Sequence, residues 1–145
     1  MATTLSNELA GIGSTPVVKA SAVSGYGARL RRYRATITLA SQTFGAGNEI
    51  YLAYVPAGLT FAYGIVTTDT SLGTSTISVG TAASVAKYKA AAVQTATDTP
   101  TMFGKTATIS QSALTAEEQI LMQVLIANLP AAGTLVVDLY FSTPT

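Results

Sequence analysis

The 145-residue chain contains no cysteine, no histidine and no tryptophan. Without cysteine there is no disulfide framework, no thiolate metal site and no redox clue to compartment. Without histidine the chain lacks the commonest general base and the commonest metal ligand, so an enzyme is disfavoured and no cofactor is implied. Charge is also scarce, at 10% of residues against about 25% in ordinary globular domains. Apolar residues make up 48%, so serine, threonine, alanine and contacts with partners have to cover much of the surface. No stretch approaches the roughly 20 apolar residues of a membrane-spanning helix, and Met1–Ala10 lacks the basic start and apolar run of a signal peptide. The expectation is a soluble protein made in the cytosol, with no membrane partner.

What charge there is lies unevenly. The net charge is +1, yet Lys19, Arg29, Arg31, Arg32 and Arg34 face only Glu8 in the first 34 residues, while six carboxylates outnumber three lysines in the remainder. The length suits one domain, which at this size buries about 68–70% of the surface its unfolded chain exposes. Residues 1–28 alternate small and polar types around Gly11, Gly13, Pro16, Gly25 and Gly27. They read as an extended arm with few core side chains. We place the arm at residues 1–31 and the folded domain at 32–145.

From Arg32 the period becomes two, with Tyr33, Ala35, Ile37 and Leu39 on one face and Arg32, Arg34, Thr36 and Thr38 on the other. Turns at Gly45–Asn48 and Val55–Gly58 bracket a strand carrying Ile50, Leu52 and Tyr54, and the second turn predicts a hairpin. Phe61, Tyr63 and Ile65 mark the next strand, and Ser75, Ile77 and Val79 another after the polar turn Asp69–Gly73. Val85–Val93 and Thr106–Ser110 give weaker strand patterns on either side of a loop at Asp98–Pro100. Residues 119–127 are apolar on every face; Thr115 and Glu118 have capping-box spacing, but the turn Leu129–Gly133 and the strand Leu135–Phe141 after them favour a doubly buried strand over a helix. About eight strands with little helix predict an all-β, antiparallel sandwich of the jelly-roll kind with an extended N-terminal arm.

No constellation carries catalysis. Glu117 and Glu118 are the only adjacent carboxylates, and on a strand they point to opposite faces. Asp69 among hydroxyls is too poor in oxygens for calcium, and reads as a local turn cap. The glycine pairs Gly11/Gly13 and Gly25/Gly27 extend to no phosphate-binding pattern. The one concentrated feature is Arg29, Arg31, Arg32 and Arg34 around Tyr33. It fits a solvated strand start, a docking patch for an acidic protein surface, or a nucleic-acid contact; the near neutrality of the rest of the chain argues against the last.

The run Asn48–Thr60, followed by Ile65–Gly73 and Thr76–Gly80, resembles small bacteriophage virion proteins in its turns and strands, and Leu129–Val137 is similar. The resemblance spans residues 48–141 and is to head decoration, or cement, proteins of tailed phages. It implies a compact β domain, often a homotrimer, on the outer surface of the capsid. There it would bind the major capsid protein and bridge neighbouring capsomers, with the arm making capsid contacts. Arg29, Arg31, Arg32 and Arg34 are then candidate assembly contacts. The alternative is a phage tail or fibre component whose sandwich binds a host surface or carbohydrate, using some of the seven tyrosines as stacking platforms.

Overall fold

The alternation that begins near Arg32 is realised as strand β1, Arg29–Thr38, followed by a single 3₁₀ turn at Leu39–Ser41. The structure is a computed structural model and describes residues 29–41, 45–110 and 112–143. The arm expected at 1–31 lies outside the described residues except for its last three, Arg29–Arg31, which pair with Phe141–Thr143. The remaining elements are β2 (Glu49–Val55), β3 (Thr60–Thr68), β4 (Thr76–Gly80), β5 (Lys89–Val93), β6 (Thr101–Phe103), helix α1 (Lys105–Ser110), β7 (Glu118–Leu125) and β8 (Thr134–Thr143).

The eight strands form two four-stranded antiparallel sheets. Sheet A has the order β1-β8-β3-β6 and sheet B the order β2-β7-β4-β5. Four of the pairings join the first half of the chain to the second: β1 with β8, β2 with β7, β3 with β6 and β4 with β5. The chain is thus one long two-ply ribbon with the β4–β5 loop at its tip, rolled so that successive pairs fall alternately in the two sheets. That is the jelly-roll topology.

Between the sheets lies a core of Ile37, Val55, Val66, Ile77, Val79, Ile120, Met122, Val124, Leu135, Val137 and Leu139. At one end of the sandwich it becomes aromatic. Phe141, fully buried, meets Tyr33, Phe61 and Tyr88 edge-on, at ring-centroid distances of 5.9, 5.3 and 6.1 Å. Residues 119–125 form the strand favoured over a helix. Ile120, Met122 and Val124 face the core, while Leu121 on the other face is also buried.

Four expectations need correction. The turn Val55–Gly58 does not close a hairpin, because β2 and β3 enter different sheets. Its backbone pairs instead with the segment before β7: Gly58 N–H donates to Leu114 O at 2.7 Å and Leu114 N–H to Leu59 O at 2.8 Å. Thr106–Ser110 belongs to α1, not a strand, and the strand of this region is the three-residue β6 just before it. Val85–Tyr88 lies in a turn ahead of β5. Asp69 caps no local turn; its carboxylate accepts the N–H of Thr134 at 2.7 Å and ties the β3–β4 connection to the start of β8.

The strict period of two also breaks twice. A bulge at Leu52 shifts the register of β2 on β7, and one at Ala62 shifts β3 on β8. Each bulge moves the following side chains to the opposite face, so Ala53 and Val55 turn inward where Ile50 did before. The Ala62 bulge exposes a carbonyl, and the Thr108 hydroxyl of α1 donates to it at 2.6 Å. A third register shift, between Ile77 and Val79 against β5, is treated alike: the Lys89 ammonium reaches the Ile77 carbonyl at 3.1 Å. Burial pushes the Lys89 ammonium below its ordinary pKa.

Candidate assembly surfaces

Strand alternation splits the four arginines. Tyr33 packs on the core and Ile37 is buried, so Arg29 and Arg31 share their side of β1, while Arg32 and Arg34 project from the outer face of sheet A. No single four-guanidinium patch exists. Arg29, Arg31 and Arg32 are exposed.

Arg34 is engaged within the fold. It lies directly opposite Asp138 of β8 and makes a bidentate pair, Nε to Oδ1 at 2.8 Å and Nη2 to Oδ2 at 2.7 Å. Asp138 is only 7% exposed. The bonds from Arg34 hold its carboxyl below the usual range against the opposing effect of burial, and Asp138 in turn raises the guanidinium pKa. Asp138 was not singled out from sequence, although a lone carboxylate inside the apolar run Leu135–Phe141 signals a cation on the neighbouring strand.

Around that pair the outer face of sheet A is aromatic and aliphatic. Registers place Arg32, Tyr140 and Tyr63 in one cross-strand row and Arg34, Asp138, Ile65 and Met102 in the next. Tyr63 and Tyr140 stack with centroids 4.6 Å apart. Met102 is 65% exposed at the β6 edge, where it borders an open apolar groove of about 400 Å³ with Ala62, Tyr63, Phe103, Lys105 and Thr108. Tyrosine, methionine and arginine are the residue types enriched at protein interfaces.

Sheet B presents a different outer face. The Leu52 bulge leaves both Tyr51 and Tyr54 pointing outward, 62% and 60% exposed, although they stand an odd three positions apart. Neither ring is buried within the chain. At the end of the sandwich a cleft of about 340 Å³ opens between Phe61, Tyr88 and Leu114, rimmed by Lys87, Glu117 and Glu118. Glu118 accepts hydrogen bonds from the Tyr88 hydroxyl and the Lys87 ammonium. Burial, followed by the bond to Glu118, pushes the Tyr88 phenol far above its ordinary pKa. The Glu118 carboxylate is committed to this network rather than to a free acid/base role.

These strand orders define a jelly-roll β-sandwich. No protein-family model matches the chain, and no curated protein matches it by sequence. Solved phage capsid structures contain chains of this fold. One, in the capsid asymmetric unit of cyanophage Pam1, is 17% identical over 80% of this chain and 84% of its own, with a TM-score of 0.57. One in the capsid of Ralstonia phage GP4 is 16% identical over 81% and 85%, with a TM-score of 0.60. One in the acid-stable capsid of Helicobacter pylori bacteriophage KHP30 is 14% identical over 80% and 89%, with a TM-score of 0.58. The resemblance to phage head proteins read from Asn48–Gly80 and Leu129–Val137 thus holds at the level of the fold.

Proposed function

We propose that the protein is a structural component of a phage virion, bound to the outer surface of the capsid lattice and bridging neighbouring capsomers. The observation that carries this reading is the shared fold with chains of three phage capsid structures over four-fifths of this chain and 84–89% of theirs. Coverage of that kind also means the matching chains are about as long as this one. An accessory component suits such a length.

In this reading residues 32–145 are the lattice-bound domain and residues 1–31 an arm that reaches the capsid. The exposed Arg29, Arg31 and Arg32 contact carboxylates of the major capsid protein at the junction of arm and domain. The outer face of sheet A, with Tyr63, Tyr140 and Met102, supplies apolar area for self-association. Burial of such area contributes about 25 cal/mol per Å² before the entropic cost of docking. A homotrimer would set three arms on the lattice together, so the second and third contacts form at high effective concentration. Modest single contacts then suffice to hold a pressurised shell closed.

Co-sedimentation of the purified protein with expanded capsids that lack it, beside its mass in solution, tests the proposal. Saturable binding of a trimer at a fixed ratio to the capsid subunit is expected. Absence of binding to expanded heads would overturn the decoration role and favour a tail or fibre location.

A further inference from the structure

The outer face of sheet B differs from that of sheet A in the chemistry it offers. Cross-strand pairing sets Tyr54 beside Gln119, Tyr51 beside Leu121, and Glu49 beside Gln123. The two phenol rings are held by residues two apart on β7, so their bases are about 7 Å from each other along the strand. The Gln119 side-chain amide donates to the Tyr54 oxygen at 2.6 Å, which fixes one ring and leaves its O–H free to donate. Leu52 and Ala53, the residues between the two tyrosines along β2, both pack against the core. No aliphatic side chain therefore stands up between the two tyrosines.

That combination suits a carbohydrate. The C–H face of a pyranose carries partial positive charge and lies well on the negative face of a phenol ring. The amides of Gln119 and Gln123, each both donor and acceptor, match the vicinal hydroxyls at the sugar edge. Glu49 is the only ionisable side chain other than the tyrosines among these strand positions, and among the described residues no cation pairs with it, which selects against acidic sugars. A protein partner would find its apolar anchors on sheet A instead, at Met102, Ile65 and the Tyr63–Tyr140 stack. We infer that Tyr51 and Tyr54, with Gln119 and Gln123, form a platform for a neutral oligosaccharide. This would let a virion carrying many copies adhere to a glycan-coated surface by avidity. The inference does not depend on how the protein attaches to a capsid.

The test uses the full chain, biotinylated and presented on streptavidin, against an array of neutral hexose and N-acetylhexosamine oligosaccharides alongside sialylated ones. Retention on neutral glycans is expected. Tyr51→Ala and Tyr54→Ala should each weaken it about five- to tenfold, in proportion to the loss of one aromatic contact. Tyr54→Phe keeps the ring and should stay within about threefold of the parent. Thr36→Ala, exposed on sheet A, should change nothing. Because both tyrosines are more than half exposed, the unfolding midpoint of each variant checks that the fold is intact. No retention by any neutral glycan, retention only by sialylated ones, or retention unaffected by either alanine variant overturns the platform. If the alanine variants instead lose self-association or capsid binding, with no glycan retained, the face is a protein contact and the inference is wrong.

Discussion

Gly80 closes β4 where the chain enters the β4–β5 loop, and its replacement by alanine sets two effects of opposite sign against each other. Its φ is not in the left-handed region, so alanine is allowed by the backbone, and the stiffer unfolded chain alone would stabilise the protein by about 0.4–1 kcal/mol. The space is occupied, however. A Cβ at position 80 would sit 2.6 Å from the Val85 carbonyl carbon and 2.8 Å from the Lys87 nitrogen, and closer still to the Ser84 carbonyl oxygen. All three are backbone atoms, so no side chain can swing aside. The loop they belong to is held by Thr81 N–H to Ser84 O at 2.9 Å, Ser84 N–H to Thr81 O at 3.1 Å and Lys87 N–H to Ser84 O at 3.1 Å. Displacing it forfeits about two of these at about 1 kcal/mol each, in addition to about 1–3 kcal/mol of overpacking. The net expectation for Gly80→Ala is destabilisation by about 2–4 kcal/mol, read as a lowered urea midpoint by tyrosine fluorescence. The same loop carries Lys87 and Tyr88 to Glu118, so the cleft should loosen with it. An unchanged or raised midpoint would refute the close approach of the loop to β4.

Phe141→Ala removes a fully buried ring with three aromatic neighbours, and should cost about 3–5 kcal/mol in equilibrium unfolding, with Phe141→Leu much milder. Asp138→Asn should lower stability at neutral pH by about 1–2 kcal/mol, between the values for screened and buried ion pairs. Because the folded carboxyl pKa is depressed, this stabilisation is complete above about pH 4, the ordinary carboxylate range. It is lost as pH falls through the lowered value. Denaturant midpoints across pH should therefore converge in acid, and a gap that persists or widens there would contradict the Arg34 pairing. Replacing Arg29, Arg31 and Arg32 together by serine should leave the unfolding midpoint within about 0.5 kcal/mol of the parent, as expected for exposed positions. Capsid co-sedimentation should weaken severalfold.

The jelly roll was legible because its inward faces are written as alternation. Tyr33 to Leu39, Ser75 to Val79 and Leu135 to Phe141 each follow the period of two that a half-buried strand imposes, and the structure seats residues 33–38, 76–79 and 135–141 as strands against one core. What alternation cannot encode is a bulge. One extra residue at Leu52 and one at Ala62 reverse the facing of everything after them, and no residue type there announces it. The outward pairing of Tyr51 with Tyr54 was hidden for that reason. The Val55–Gly58 turn has the residues of a hairpin, and its true destination depends on Leu114, which lies more than fifty positions away. Thr106–Ser110 is rich in β-branched residues, yet it forms a helix in which the Thr108 N–H donates to Gly104 O at 2.8 Å and the Thr108 hydroxyl to Ala62 O at 2.6 Å. Tertiary demand outweighed local propensity there. Of the arginines, the cluster itself was visible, but the commitment of Arg34 to Asp138 emerges only from the register of β1 on β8.

A cryo-electron microscopy comparison of expanded capsids before and after saturation with the protein bears most directly on its role. A β-sandwich density of this size at regular positions on the outer surface, touching more than one capsomer, is the predicted result. Identical maps, or added density confined to the portal or tail, would contradict a lattice-bridging function.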